Sequence, residues 1–149
     1  SLKNSAIIRT SLLYSQFGNN FVKRIVNQIN KGENFSVVDK LYCSPTNAFD
    51  LSKAIFILIN KLKNEKAEIY HFSNRGTCSR YDLACEINTI IGGKSIIKPS
   101  KKIIGKAKRP IYSILNTDKL HNKFNLEQID WKTSLKKYLK KTKALVNEI

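Results

Sequence analysis

The sequence contains few cysteines, histidines and acidic residues, and it has no long apolar run. Its three cysteines, Cys43, Cys78 and Cys85, form no CxxC pair, and neither His71 nor His121 lies near a cysteine. This spacing does not predict a zinc site, so we expect reduced, mostly buried thiols. No apolar stretch approaches the roughly 20 residues of a membrane span, and the N-terminus shows no signal-peptide pattern. We therefore expect no metal centre and a soluble cytoplasmic protein.

The shortage of acidic residues leaves a large positive charge. Twenty-seven lysine and arginine residues against eleven acidic ones give a net charge of +16. Such an excess suggests a polyanionic partner: nucleic acid, an anionic membrane surface or a phosphorylated small molecule. Solvated cationic faces without a ligand are the alternative. In the terminal segment from Trp131 to about Asn147, an apolar stripe typical of a core-packed helix favours the solvated-face interpretation of its lysines.

Segments typical of strands and helices alternate along the chain, which predicts a single α/β domain. The predicted strands are a buried Ala6–Thr10, Phe35–Asp39, Ile69–Ser73 and Ser95–Lys98. Helices are expected over residues 20–30, 48–62, 79–91, 117–124 and 131–147. The predicted N-caps are Asn19 or Asn20, Ser79 with Asp82, and Thr117. A parallel sheet needs several strands covered on both faces, and only two strands are strong, so we expect part of a larger sheet.

Five short strings occur in the order in which dTDP-4-dehydrorhamnose reductases carry similar strings. They are Arg9–Tyr14, Gly18–Lys23, Ser44–Leu51, Ile69–Gly76 and Ala107–Leu120. With the closing Trp131–Leu139 segment, the chain resembles this family along nearly its whole length. The resemblance implies an extended short-chain dehydrogenase/reductase fold, of which residues 1–149 form the C-terminal part: the last strands of the Rossmann sheet and a small α/β substrate-binding lobe.

The parts that carry out catalysis in that family are missing from the sequence. There is no GxxGxxG turn to bring a pyrophosphate to a helix N-terminus. There is also no Tyr-x-x-x-Lys pair, and Tyr112 has Asn116 where the lysine is required. We therefore predict no catalytic residue and an inactive chain when it is alone. The resemblance implies that NADPH (or NADH) is bound mainly by a missing N-terminal Rossmann half, which we expect as a partner. Exposed strand edges also suggest self-association as a homo-oligomer.

The resemblance also predicts residues that contact a nucleotide sugar. Thr10, Ser11 and Leu12 are expected to face the reaction chamber. The family usually has tryptophan at the position of Leu12, and leucine cannot offer the same stacking face to a sugar. The identity of the sugar therefore stays open. Asn19 and Asn20 have two interpretations, as a helix cap or as ligands of sugar hydroxyls.

A basic segment, Lys94–Arg109, is the most informative local charge feature. Arg109, beside Pro110, is predicted to pair with a diphosphate through its planar guanidinium, with Lys108 adding a point charge. The alternative is a solvated lysine loop. His71 is interpreted as a core or edge histidine rather than a catalytic one, and His121 is expected to be exposed.

Three functional hypotheses follow. The first is the nucleotide-sugar-binding portion of an NADPH-dependent dTDP-4-dehydro-L-rhamnose reductase-like enzyme of deoxysugar biosynthesis. The second is a non-catalytic binding or regulatory protein of the same fold. The third, which is carried by the charge alone, is a basic nucleic-acid-binding domain. Under the first hypothesis we expect a dTDP-sugar as ligand and neither a membrane nor a specific nucleic acid as partner.

Overall fold

The computed structural model describes residues 5–62, 66–102 and 110–146, without the side chains of 143–146. Those residues form short strands and five helices in an α/β arrangement. The strands are β1 Ala6–Thr10, β2 Leu13–Tyr14, β3 Phe35–Val38, β4 Tyr42–Cys43, β5 Thr46–Asn47, β6 Glu68–Phe72, β7 Cys78–Ser79, β8 Ile97–Ser100 and β9 Tyr112–Ser113. The helices are α1 Phe21–Asn30, α2 Ala48–Lys61, α3 Arg80–Ile91, α4 Asp118–Phe124 and α5 Trp131–Val146.

The first layer is a parallel pair of strands covered on one face. Strand β1 pairs with β6 in register from Ala6 opposite Glu68 to Thr10 opposite Phe72. Helices α2 and α4 cover one face and form, together with β6, a cluster of buried residues: Ala54, Leu58, Tyr70, Phe72, Leu120 and Phe124. On the opposite face Ile7 is 60% exposed. The prediction of a buried first strand is therefore wrong, because only one face of this strand pair is covered by the described residues.

The second layer gathers α1, α3 and α5 beside the parallel pair β3–β8. Phe35 lies opposite Ile97 in that pair. The helices contribute their apolar stripes to one cluster, whose most deeply buried members are Val22, Ile25, Leu83, Ala84, Ile87 and Leu135. The α5 lysines whose side chains the structure describes, Lys132, Lys136, Lys137, Lys140 and Lys141, lie on its other faces and are exposed. The predicted packing of the apolar stripe into the core is therefore confirmed, and the interpretation of the lysines as a solvated face stays a prediction. Among the described residues no helix has the length and apolarity needed to cross a bilayer.

The predicted helix caps are largely confirmed. The side chain of Asn20 accepts a hydrogen bond from the Lys23 backbone N–H at 3.0 Å, and Ser79 and Asp82 form both bonds of a capping box. Thr117 is wrong as a side-chain cap. Instead, the Asn116 side chain accepts a hydrogen bond from the Asp118 backbone N–H at 2.9 Å.

A buried polar network connects the two layers. Asn74 accepts a hydrogen bond from the Asn47 backbone N–H at 2.9 Å and donates one to the Asp50 carboxylate at 2.8 Å. Ser134 of α5 donates to the same carboxylate oxygen and accepts a bond from the Asn47 side chain. Because buried polar groups destabilise the fold unless they are paired, this network fixes how α5 packs against the start of α2.

Gly76 fixes the turn that follows β6. Its φ is +93°, and an added Cβ would lie 2.9 Å from the ring of Trp131. A side chain at this position would therefore be strained and would also displace the first residue of α5.

The histidine and cysteine predictions have mixed outcomes. His121 is only 5% exposed, so the prediction of an exposed side chain is wrong. Its ring stacks on Phe72, and its Nδ1 lies 3.1 Å from the Leu126 carbonyl oxygen. His71 is half-buried, with Nδ1 3.1 Å from the Asn116 carbonyl oxygen, as expected of an edge histidine. The prediction of free, mostly buried thiols is confirmed.

Candidate functional site

The predicted Thr10–Leu12 segment lies where β1 ends and the chain enters the smaller sheets. The Thr10 hydroxyl donates to the Thr46 hydroxyl at 3.1 Å, and Thr46 donates to the Ser11 carbonyl oxygen at 2.6 Å. The Ser11 hydroxyl donates to the hydroxyl of Ser113 at 3.2 Å, which in turn donates to the Tyr42 carbonyl oxygen. These bonds join the end of β1 to β5, β4 and β9, so the segment is fixed by contacts within the chain.

Leu12 has a backbone conformation that leucine rarely adopts. Its φ is +41°, in the left-handed region. Such a residue is strained by about 1–3 kcal/mol and persists only where its surroundings hold it. The Leu12 carbonyl accepts a hydrogen bond from the Thr46 backbone N–H at 3.1 Å. The Leu12 side chain packs against the core cluster of the second layer, the one formed by α1, α3 and α5, which is called the second core cluster below. Backbone strain of this kind is common at ligand sites.

Two adjoining cavities share Leu12 and Arg80 in their linings. The first, about 300 Å³, is lined by Thr10, Ser11, Leu12, Leu41, Tyr42, Cys43, Arg80, Pro110, Ser113 and Leu115. The second, about 740 Å³, is lined by Leu12, Leu13, Asn19, Asn20, Phe21, Lys23, Arg24, Asn27, Gln28, Lys31 and Arg80. Five predicted contact residues therefore line one connected surface, with Leu12 shared by both cavities.

The polar side chains on this surface differ in what they can offer a ligand. Ser11 is buried, and its hydroxyl is used in the chain of bonds to Ser113. Asn20 caps α1 with its oxygen and donates its amide to the Ser15 carbonyl at 2.8 Å. Of the two roles considered for this pair, Asn20 takes the cap. Asn19 and Thr10 are exposed at the cavities, so they are the predicted residues best placed to meet a ligand.

Two arginines that were not predicted line this surface, Arg80 in both cavities and Arg24 in the second. The guanidinium carbons of Arg24 and Arg80 lie 5.4 Å and 5.0 Å from the centroid of the Phe21 ring. Arg24 follows Phe21 by one helical turn, which the sequence shows. Arg80 is the first residue of α3, and its approach to α1 depends on tertiary packing. The predicted Lys108 and Arg109 lie outside the described residues.

The described residues that line the site carry positive charge and include no acidic side chain. Four of the residues that line the second cavity are cations, Lys23, Arg24, Lys31 and Arg80, and none is acidic. The positive charge of Arg80 also acts on the first cavity, which this residue lines as well. There the Cys78 side chain lowers the pKa of Cys43, and the positive charge of Arg80 lowers it further, while burial opposes both. A surface of this kind attracts anions.

The described residues do not fit a dinucleotide cofactor. Gly18 precedes α1, but the side chain of Asn20 occupies the N-terminus of that helix, where a pyrophosphate would lie. Gly32 and Gly92 follow helices. Among the described residues no cluster of three or more potential metal ligands occurs either. No step of chemistry through a nicotinamide or a metal can be derived from this chain.

The geometry defines an α/β ligand-binding domain with a cationic, amide-lined surface at the end of a parallel strand. Comparison with known proteins gives the family. Residues 1–144 match the model described as RmlD substrate binding domain, and the chain belongs to this family. The predictions of the dTDP-4-dehydrorhamnose reductase family and of the C-terminal part of its fold are confirmed.

Individual relatives agree. The chain is 32% identical to the spore coat polysaccharide biosynthesis protein SpsK of Bacillus subtilis, over 92% of this chain and 47% of that protein. It is 30% identical to the dTDP-4-dehydrorhamnose reductase of Sinorhizobium fredii, over 90% and 49%. The crystal structure of dTDP-4-dehydrorhamnose reductase from Bacillus anthracis in complex with NADP matches with a TM-score of 0.83 and 32% identity, over 91% and 48%. The chain spans about half the length of the relatives it matches.

Proposed function

We propose that this chain is the nucleotide-sugar-binding portion of an NADPH-dependent reductase acting on dTDP-4-dehydro-L-rhamnose or a closely related dTDP-sugar. The observation that supports this proposal is the surface around Leu12. Thr10 lines its first cavity, Asn19 lines its second, and Arg80 lines both. A dTDP-sugar carries a diphosphate and several hydroxyls, and this surface offers guanidinium, amide and hydroxyl groups to such a molecule.

The cofactor belongs to the other half in this proposal. When bound there, NADPH would supply the hydride. The residues of this chain would hold the sugar and its diphosphate, and Thr10–Leu12 would form the wall that faces the reacting carbon. Positioning of this kind contributes to catalysis by orienting the substrate.

An N-terminal Rossmann half is the partner that we propose for the uncovered apolar surface. Ile7 and Ile69 project from the open face of the β1–β6 pair, and Phe56 and Ile59 project from α2. Sheets of parallel strands are normally covered on both faces. The relatives are about twice as long as the matched segment, so they have enough additional chain to cover this surface.

A thermal-shift titration tests the proposal, because a ligand that binds only the folded state raises the melting temperature. The ligands are dTDP, dTDP-rhamnose, NADPH and a short DNA duplex, each at two salt concentrations. We expect stabilisation by dTDP and dTDP-rhamnose and none by NADPH. A strong, salt-sensitive shift with DNA and none with either nucleotide would contradict the proposal and favour the nucleic-acid hypothesis.

One observation favours a second candidate, a non-catalytic nucleotide-sugar-binding protein of the same fold. Leu12 stands where the family usually has tryptophan, and the half-buried leucine side chain packs into the core rather than presenting a ring. Titration of the longer protein with dTDP-rhamnose, together with an NADPH oxidation assay on the 4-keto sugar, separates the two. Binding without turnover would support the second candidate.

A further inference from the structure

We propose that Arg24 and Arg80, held together by the ring of Phe21, bind the diphosphate of the nucleotide sugar. This inference rests on the proposed function and deepens it, because it assigns the phosphate contacts to two helices instead of to Arg109. The prediction for Arg109 was made from its sequence neighbours alone, whereas the arginine pair is defined by geometry.

The two guanidiniums are oriented by one aromatic residue. Both lie within 5.4 Å of the Phe21 ring centroid, a distance at which arginine stacks on an aromatic ring. Stacking restricts a long side chain, so less freedom is lost when the planar group then pairs with phosphate oxygens. The helices that carry the two arginines are anchored by Val22 and Leu83, each 0% exposed.

The backbone N–H groups at the N-terminus of α3 do not compete with the Arg80 guanidinium as the anion contact. Its capping box uses the Ser79 and Asp82 side chains on each other's backbone N–H groups, and the Arg80 backbone N–H donates to the Leu41 carbonyl at 3.1 Å. These N–H groups are therefore occupied by the chain. Any phosphate contact of this residue is therefore made by its side chain and not by its backbone N–H.

The position of Arg80 matches the place of a diphosphate within a nucleotide sugar. It lines the cavity beside Thr10, the larger cavity beside Asn19, and a third cavity of about 350 Å³ that also includes Arg24 and Lys102. The diphosphate lies between the nucleoside and the sugar, so a ligand that occupies two of these cavities passes Arg80. The described residues that line the third cavity, like those that line the second, include no acidic side chain.

Calorimetric titration of the full chain tests the assignment, with dTDP, thymidine and inorganic pyrophosphate as probes. The variants are Arg24→Gln, Arg80→Gln and Arg80→Lys. Arg75→Gln is the matched control, because Arg75 is exposed and lines none of the three cavities. Circular dichroism checks that each variant folds. If Arg80→Gln does not fold, Arg24→Gln and Arg80→Lys carry the test.

We expect each glutamine variant to weaken dTDP binding at least about tenfold, as loss of a charge-assisted pair does. Arg80→Lys should give a smaller loss, because it keeps the charge without the planar fork. The Arg75→Gln control should stay within about twofold, and thymidine binding should not respond to any variant, because it lacks the diphosphate.

The other outcomes separate this inference from the proposed function. If dTDP binds the unaltered chain and the Arg24 and Arg80 variants bind it equally well, the arginine assignment is overturned and the proposed function stands. An Arg109→Gln variant that alone abolishes binding would restore the sequence-based prediction. If dTDP does not bind but pyrophosphate does, and the arginine variants lose it, the anion site is supported and the proposed function fails. Binding of neither probe would overturn both.

Discussion

Replacement of Asn74 by alanine should destabilise this chain more than any change of a surface amide. Asn74 is 2% exposed and bonds both the Asn47 backbone N–H and the Asp50 carboxylate. Alanine would leave the N–H without its partner and would remove one of two side-chain donors to the partly buried Asp50 carboxylate. An unsatisfied buried N–H costs about 1–3 kcal/mol, and a hydrogen bond to a charged group contributes about 1.5–3 kcal/mol. We therefore expect a loss of about 3–5 kcal/mol in the free energy of unfolding.

The assay is equilibrium urea unfolding followed by circular dichroism. A loss of this size is a large part of the roughly 5–15 kcal/mol that stabilises a typical domain. The control is Asn60→Ala, since Asn60 is exposed on α2 and its side chain bonds only to the Phe56 carbonyl among the hydrogen bonds described. The control should change stability by less than about 0.5 kcal/mol. A loss below about 1 kcal/mol for Asn74→Ala would refute the network as a structural link.

Two further predictions concern packing and pH. Leu135→Ala, at a fully buried position in the second core cluster, should lower the free energy of unfolding in urea by about 2–5 kcal/mol. The control Leu13→Ala, at an exposed position, should lower it much less. Equal losses would contradict the core assignment. The Tyr70 hydroxyl and Lys119 ammonium lower the pKa of Glu68, so its stabilising contribution is full above the ordinary glutamate pKa and is lost as pH falls through the lowered value. Glu68→Gln should therefore flatten the dependence of melting temperature on pH below about 4.5, and an unchanged acid limb would show that the Lys119 ion pair does not contribute.

The sequence predicts the parts of this fold that depend on local chemistry. Helix α3 begins where Ser79 and Asp82 predict it, because a capping box is formed by residues three apart. Strands β1 and β6 and the long helices follow from their hydrophobic periodicity. The two-residue strands β2, β4, β5, β7 and β9 were not predicted, because segments so short carry no periodicity and are defined only by their pairing.

The site likewise has residues that the sequence predicts and residues that are defined only by tertiary packing. Thr10, Ser11, Leu12 and Asn19 were predicted from their resemblance to a known family, and the structure brings them onto one surface. Arg80 was missed because nothing in its neighbours shows that it will meet Phe21, which lies 59 positions earlier in the sequence. His121 was misjudged for a related reason. Its burial comes from the packing of α4 on Phe72, which the charged residues around it in the sequence conceal.

The chain has two surfaces that differ in whether they need another protein to be complete. The surface around Leu12 is fixed from within, because the hydroxyl bonds from Thr10 to Ser113 and the anchored helices α1 and α3 need no other protein. The open face of the β1–β6 pair has no such internal partner among the described residues and leaves Ile7 and Ile69 exposed. A ligand surface that is already formed loses little entropy when it binds. Under the proposed function, nucleotide binding by this chain should therefore survive without the Rossmann half, whereas reduction of the sugar should depend on covering that open face.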